Sequence, residues 1–419
     1  MHAFLTARLL PALALVMAAA VITPALAADA KPAGHAPGMQ HGQSKTGKAA
    51  KARAALAISV AAAEDGSFWM VGLDDQGRLA LQRSTDQGRS WDAPRLPDIG
   101  DDGVAADGES RPKVLIGKGG LVLVSYSSPL AKPYTAQVRL LRSTDGGRSF
   151  APPVTVHADR QVITHRFESL AFDTQGRLHT VWIDKRDLEA SKAGPTGEAP
   201  PYRGAAIYRN VSEDGGLTFG PDTRVADHSC ECCRIALAPS PQGDVVAMWR
   251  HVYAPNERDH AFTHLGQDLA PEAEPVRATQ DRWALDGCPH HGPGLARDAA
   301  QGYHAVWFGD RGGLVGVRYG RLDDAGRPLG DVRLLPDEAA EHADVLSSGP
   351  QVAITWRSFD GQRTRWRAWI SADGGQSFTL RELGRSTQDN DHPKLFLAGS
   401  AIYGHWRSTE GVRIERLTP

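Results

Sequence analysis

The chain has 419 residues, with 47 Lys and Arg against 49 Asp and Glu and a formal charge of −2. That balance excludes the one-sided basic footprint of a nucleic-acid or anionic-membrane binder. Helical periodicity is scarce, and short β-rich runs broken by Gly, Asp and Asn dominate, as in an all-β domain.

The N-terminus comes first. Arg8, an apolar run from Leu9 to Ile22 and the small residues Ala25-Leu-Ala27 form the pattern of a cleaved secretory signal, residues 1–27. The run is too short for a membrane span, and no second long apolar stretch follows. The expected product is a soluble, monomeric, periplasmic or secreted protein with no membrane span after cleavage. Residues 28–54 are rich in Ala, Gly, Lys, Pro and Gln, a composition that cannot bury a core and predicts a disordered linker. The linker carries His35, Met39 and His41, either as part of a bland tail or as an accessory metal-gathering arm. Residues 55–419 remain for one large repeat domain.

Four copies of one phrase punctuate that domain: Ser84-Thr-Asp-Gln-Gly-Arg-Ser-Trp91, Ser143-Thr-Asp-Gly-Gly-Arg-Ser-Phe150, Ser212-Glu-Asp-Gly-Gly-Leu-Thr-Phe219 and Ser371-Ala-Asp-Gly-Gly-Gln-Ser-Phe378. The Asp side chains suit bonds to backbone N–H groups two residues on, and the glycines supply positive φ. The aromatics are expected to fill the space between sheets. A second repeat, an inner strand followed by a turn and a strand ending in an aromatic, brings up Trp69, Tyr126, Trp182, Trp249, Trp307, Trp356 and Trp406. Seven copies at about 50–65 residues each fall in the range of propeller blades. Six blades are the alternative, if the first unit is split. The incomplete last unit predicts ring closure through a strand near Arg53–Val60.

Residues just before each inner strand stand at the mouth of such a ring. They read Glu109-Ser-Arg111; His165-Arg166-Phe-Glu168; His228-Ser-Cys230-Glu-Cys232-Cys233-Arg234; Cys288-Pro-His290-His291; His342-Ala-Asp344; and Asp391-His392. Histidine falls here in five units, and all four cysteines fall in two adjacent ones. In an oxidising compartment four cysteines read as disulfides, with a bridge to Cys288 from the neighbouring segment and the remaining two paired locally or free. The rival reading is metal ligation, because thiolates with imidazoles suit copper(I) or zinc. The metal candidates are Cys230, Cys232, Cys233, Cys288, His290, His291, His165, His342 and His392. Arg258 and Asp259 are placed either across the mouth or in a solvated loop pair. Asp184 to Asp187 read as a brace on the neighbouring blade.

The four phrases resemble the Asp-box, or BNR, repeat of sialidase-like β-propellers. With the Cys230 and Cys288 segments, the chain is similar to bacterial exported proteins of the sialidase-like, exo-α-sialidase family. The resemblance implies an Asp-box β-propeller over residues 55–419, with six blades as in true sialidases against the seven that the repeats count. Sialidase chemistry needs three carboxylate-clamping arginines, a Tyr–Glu pair and an acid/base Asp. Arg111, Arg166 and Arg234 can supply a clamp and Glu168 a base. Only Tyr403 offers itself as the nucleophile. True sialidase activity is therefore not expected. The leading reading is a periplasmic metal-handling protein, with copper before zinc. The alternatives are a carbohydrate-active hydrolase using Arg111, Arg166, Glu168 and Asp344 on a small-molecule or sugar ligand, and a disulfide-stapled interaction scaffold.

Overall fold

A computed structural model describes residues 55–193, 202–266 and 274–419. The expected signal peptide and the linker with His35, Met39 and His41 lie outside these residues. No helix among the described residues is long and apolar enough to cross a membrane.

The strands run up and down in seven consecutive antiparallel meanders. The first holds β1 (Ser59–Ala62), β2 (Phe68–Leu73) and β3 (Leu79–Ser84). The second holds β4 (Lys113–Ile116), β5 (Val122–Pro129), β6 (Ala136–Ser143) and β7 (Val154–Thr155). The third holds β8 (His165–Phe172), β9 (Leu178–Asp184), β10 (Ala205–Ser212) and β11 (Thr223–Ser229), with the short helix α1 (Arg186–Ala193) between β9 and β10. The fourth holds β12 (Ala236–Pro239), β13 (Val245–Tyr253), β14 (Glu257–His264) and β15 (Val276–Arg277), and β16 (Trp283–Ala284) also pairs with β14. The fifth holds β17 (Gly294–Arg297), β18 (Tyr303–Arg311), β19 (Leu314–Leu322) and β20 (Pro328–Leu334). The sixth holds β21 (Ala340–Ser348), β22 (Gln351–Phe359), β23 (Thr364–Ser371) and β24 (Thr379–Ser386). The last holds β25 (Lys394–Ala398), β26 (Ala401–Ser408) and β27 (Gly411–Arg416). Counted by hydrogen bonding there are six sheets among the described residues, because Ser229 pairs with His251 and joins the third and fourth meanders.

The four repeated phrases each close the third strand of a meander, and their geometry is shared. Ser143 Oγ donates to Asp145 Oδ1 at 2.8 Å and accepts from Gly147 N at 2.9 Å. Asp145 then accepts from Arg148 N, Ser149 N and Ser149 Oγ. The Asp reaches three and four residues on, where the sequence had suggested two. Gly146 and Gly147 take φ of 74° and 72°, which only glycine adopts freely. Phe150, Phe219, Phe378 and Trp91 pack into apolar clusters between successive meanders.

The aromatics of the second repeat all fall on second strands and are buried. Several are pinned through their polar atom. Trp182, Trp307 and Trp356 donate Nε1 to Asp184, Asp281 and Asp337, and Tyr126 donates to Asp102. Buried indole and phenol groups need such partners.

First strands pack side by side, and β25 touches both β21 and β1. Ile58, Val60 and Phe68 share a core with Phe396 and Tyr403. This corrects the expected closure. Ser59–Ala62 is the first strand of the first sheet, and the last sheet keeps three strands. Side chains, not a shared outer strand, join the two ends.

Buried neutral histidines make this fold acid-sensitive. Burial, then the neighbouring His165, holds His157 down to about 3. Burial, then His228, does the same to His251, also about 3. Burial, then Arg321, lowers His304 to about 4. Each regains an ordinary value near 6.5 on unfolding. Folded pKa values below unfolded ones mean stability that is full above about 6.5 and lost as the pH falls toward 4, by about 1.4 kcal/mol per pH unit for each group. Thermal melting should fall steeply between pH 6.5 and 4.5, and a flat profile there would contradict this burial.

Candidate functional site

Cys230, Cys232 and Cys233 occupy the turn from β11 into β12, where Cys230 N donates to Arg250 O at 2.9 Å. Cys288 sits on the loop between β16 and β17. Arg258 Nε holds that loop at Leu285 O (3.1 Å), and Arg250 Nη2 holds it at His291 O (3.0 Å). The four sulfurs converge. Cys230 Sγ lies 3.7, 3.8 and 3.8 Å from those of Cys232, Cys233 and Cys288, and Cys232 and Cys233 are 3.9 Å apart. A disulfide bond is about 2.05 Å long, so all four are free thiols, and the expected bridges are not formed. A tetrahedral ion with bonds of about 2.3 Å holds its sulfurs about 3.8 Å apart. Cys230, Cys232 and Cys233 are buried, and Cys288 is exposed.

Contacts with the other three sulfurs and, after them, Arg250 hold Cys230 well below its ordinary value against burial. The same contacts with Cys230 raise Cys233, Cys232 and Cys288, the last to about 12. Arg250 on β13 is only 1% exposed. Its Nη2 donates to the carbonyls of His291 and Phe308, and its guanidinium lies 5.6 Å from the Trp283 ring. Nε and Nη1 have no partner, and among the described residues no carboxylate stands within ion-pair distance. A buried guanidinium requires counter-charge, and the cysteine cluster is placed to provide it. His260 Nε2, also buried, is likewise unpartnered.

Glu109 forms a second centre beside the first. Its carboxylate accepts from Arg234 Nη1 (2.8 Å), Arg234 N (3.2 Å) and Gly292 N (3.0 Å). Its Oε1 lies 3.1 Å from His342 Nδ1 and 3.6 Å from His392 Nδ1. Burial works to raise Glu109, but Arg234 and the histidine contacts outweigh it and keep the carboxyl ionised. His291, His342 and His392 form one stack, with centroids 4.2 and 3.3 Å apart, capped by Phe308 at 4.2 Å. Lys394 Nζ stands 3.9 Å from Asp344 Oδ1, and burial, then Arg234, pulls it down to about 7.

The structure therefore divides the predicted candidates. The cysteines form one group and His291, His342 and His392 another. His290 is exposed and joins neither. His165 turns elsewhere, stacked on His157 at 3.9 Å and near Asp159 and Asp184. The arginines of the carboxylate clamp are already paired: Arg111 with Asp391 (2.9 Å), Arg166 with Asp107 (3.2 Å) and Arg234 with Glu109. Glu168 accepts from Ser127 (2.8 Å), Ser125 (3.2 Å) and Lys113 (3.3 Å), with no tyrosine among these partners. Tyr403 packs on Phe68 and Phe396. Asp344 accepts from Leu395 N at 3.1 Å. Asp259 does not cross the mouth: it is buried against Arg277, Thr279 and Asp281 N. Asp184 and Asp187 brace their own meander, through Trp182, Arg186 and Tyr208. Sequence reasoning missed Arg250, His260 and Glu341 as site residues. Arg250 carried one signal, an arginine following Trp249 inside an otherwise apolar strand.

No family model matches the chain, and no curated protein matches it in sequence. Solved structures do. A polysaccharide lyase of family PL25, an ulvan lyase, aligns at TM-score 0.55 and 12% identity over 85% of this chain and 91% of its own. A protein of unknown function from Dyadobacter fermentans DSM 18053 aligns at 0.49 and 16% over 78% and 93%. The NanB sialidase of Streptococcus pneumoniae aligns at 0.48 and 8% over 83% and 82%. At 12% identity the likeness to the ulvan lyase, at TM-score 0.55, is one of fold alone.

Proposed function

We propose that this chain is an exported, monomeric, seven-bladed propeller that binds a soft transition-metal ion at its mouth, copper(I) before zinc, through Cys230, Cys232, Cys233 and Cys288. The observation that carries this reading is the 3.7–3.9 Å spacing of Cys230 from the other three sulfurs and of Cys232 from Cys233, the edge length of a tetrahedral thiolate shell, with Cys230, Cys232 and Cys288 forming the group that could hold an ion. Thiolate donors suit copper(I) and zinc, and Arg250, buried without a carboxylate partner, suits the negative charge of a metal–thiolate core. Three ligands come from one buried turn, while the exposed Cys288 comes from another loop. Cys288 is then the ligand that exchanges with an incoming donor, as handling rather than storage requires. The test is titration of reduced mature protein with copper(I) against a chromophoric chelator, and separately with zinc. One ion per chain held tighter than micromolar is expected, and no such binding would retire the reading.

A carbohydrate-active reading has one observation in its favour besides fold likeness. A cavity of about 180 Å³ lies between first strands, lined by Ser59, Lys113, Ser125 and Leu170 among others. Sialidase chemistry does not follow from it, because the three arginines are bound to acids of this chain and no Tyr–Glu pair forms. A fluorogenic sialoside should not be turned over. Robust release that Glu168→Gln abolishes would reverse this.

A further inference from the structure

His342 lies at a register shift of β21 against β22, between Glu341 and Asp344, with φ of 54°. Left-handed backbone is uncommon for any residue with a Cβ, and bulges re-aim side chains beside sites. The aim here is specific. Glu109 Oε1, an acceptor, faces His342 Nδ1 at 3.1 Å. That contact places the ring proton on Nδ1 and leaves the lone pair on Nε2. A carboxylate behind a histidine is the usual support of a metal-ligating imidazole. On the other side, Nε2 faces Glu341 Oε2 at 3.8 Å, too long for a hydrogen bond. Two donors on one ion, with bonds of about 2.1 Å, stand about 3.4–3.6 Å apart. Arg357 Nε sits 2.8 Å from the other Glu341 oxygen and leaves Oε2 for the ion. The His291 ring stacks face to face on His342, with its Nδ1 accepting from His342 N at 3.4 Å, so it must turn for a lone pair to address an ion shared with His342; ligand atoms of His291, Glu341 and His342 all fall within 4.8 Å of one another.

We propose that His291, Glu341 and His342 form a second metal site, distinct from the thiolate cluster, for a divalent ion of borderline character such as zinc, nickel or copper(II). Two imidazoles and one carboxylate are the donor set such ions take. Three protein ligands leave one position for water or a substrate oxygen. Glu109 acts through His342 and is a positioning residue. The site has no sulfur donor and stands whether or not the cysteines bind metal.

Cobalt(II) separates the two centres in the intact mature chain. Thiolate ligation gives an intense near-ultraviolet sulfur-to-cobalt band, and a nitrogen–oxygen site gives only weak visible bands. The expected result is two cobalt ions per chain, one with the charge-transfer band and one without. Glu341→Gln should remove the second ion alone, weakening it at least about 100-fold while the sulfur band stays. His342→Asn, which keeps a residue tolerant of left-handed backbone, should do the same. A stoichiometry of one with the full sulfur band in the wild type overturns the proposal. So does a second ion indifferent to both substitutions. One ion without any sulfur band, lost in Glu341→Gln, would sustain this site and remove the thiolate reading instead.

Discussion

Cys230→Ser is expected to abolish tight copper(I) binding, with a loss well beyond the roughly 100-fold typical of losing an outer-shell partner. Cys230 is the hub of the cluster, since its sulfur alone stands within 3.8 Å of the other three. It is also the thiol held below its ordinary value, by its contacts with the other three sulfurs and then by Arg250. Cys288→Ser should be milder, because three buried sulfurs remain, but it should speed transfer to a competing chelator. Arg250→Met keeps the length of the side chain and removes its charge. It should weaken the metal about 10–100-fold, in the manner of a supporting partner. Ligand linkage gives a second readout. Metal at 1,000 times its dissociation constant stabilises the fold by about 4.1 kcal/mol, and that gain should vanish in Cys230→Ser. A Cys230→Ser protein that still melts higher with copper(I), or a Cys288→Ser protein as defective as Cys230→Ser, would show that the sulfurs do not act as one shell.

Much of the architecture was legible because its signals are local. A Ser-x-Asp-x-Gly phrase satisfies its own hydrogen bonds, so the turns at Ser84, Ser143, Ser212 and Ser371 could be placed without knowledge of the fold. The buried aromatics likewise fell at one position of each repeat, from Trp69 to Trp406. Ring closure was misjudged because an incomplete last unit only suggests a missing strand. It does not reveal that the Ile58–Phe68 and Phe396–Tyr403 side chains seal the gap. At the mouth, equivalent positions brought the cysteines and histidines together in outline. Their division into a sulfur centre and a Glu109-centred stack was not legible, since it depends on how each strand start bends. His228, His290 and His342 all take positive φ, and no composition rule announces left-handed histidines. Arg250 was overlooked for a related reason: its partners are carbonyls of His291 and Phe308, about 41 and 58 residues away in sequence, and such contacts have no sequence signature.

Arg111→Ala is expected to destabilise the fold by about 3–5 kcal/mol, the loss typical when one half of a buried ion pair is removed. Arg111 and Asp391 are 5% and 4% exposed. They meet through two bonds, Nη1 to Oδ2 at 2.9 Å and Nη2 to Oδ1 at 3.1 Å. Ile58 completes the knot, accepting from Arg111 Nη1 at 2.6 Å and donating its N–H to Asp391 at 3.1 Å. Three chain segments, those entering β1, β4 and β25, are tied together where the first and last meanders meet. Burial already pushes Asp391 upward despite Arg111. Without the guanidinium the carboxyl must rise further or remain an uncompensated buried charge. A folded pKa raised above the unfolded one makes the penalty full at neutral pH and smaller as the pH falls through the folded value, so the gap between wild type and Arg111→Ala should narrow toward pH 5. Arg111→Met with Asp391→Leu should recover most of the loss, because a buried pair exchanged for apolar groups of similar size is often neutral. The exposed Arg83–Asp65 pair, with side chains 34% and 56% exposed, is the control, and breaking it should change stability by no more than about 1 kcal/mol. Urea melts of the four proteins at pH 7.5 and 5 decide the matter. A loss below about 1 kcal/mol for Arg111→Ala, or one that widens at pH 5, would mean that the ring is not clasped by this pair.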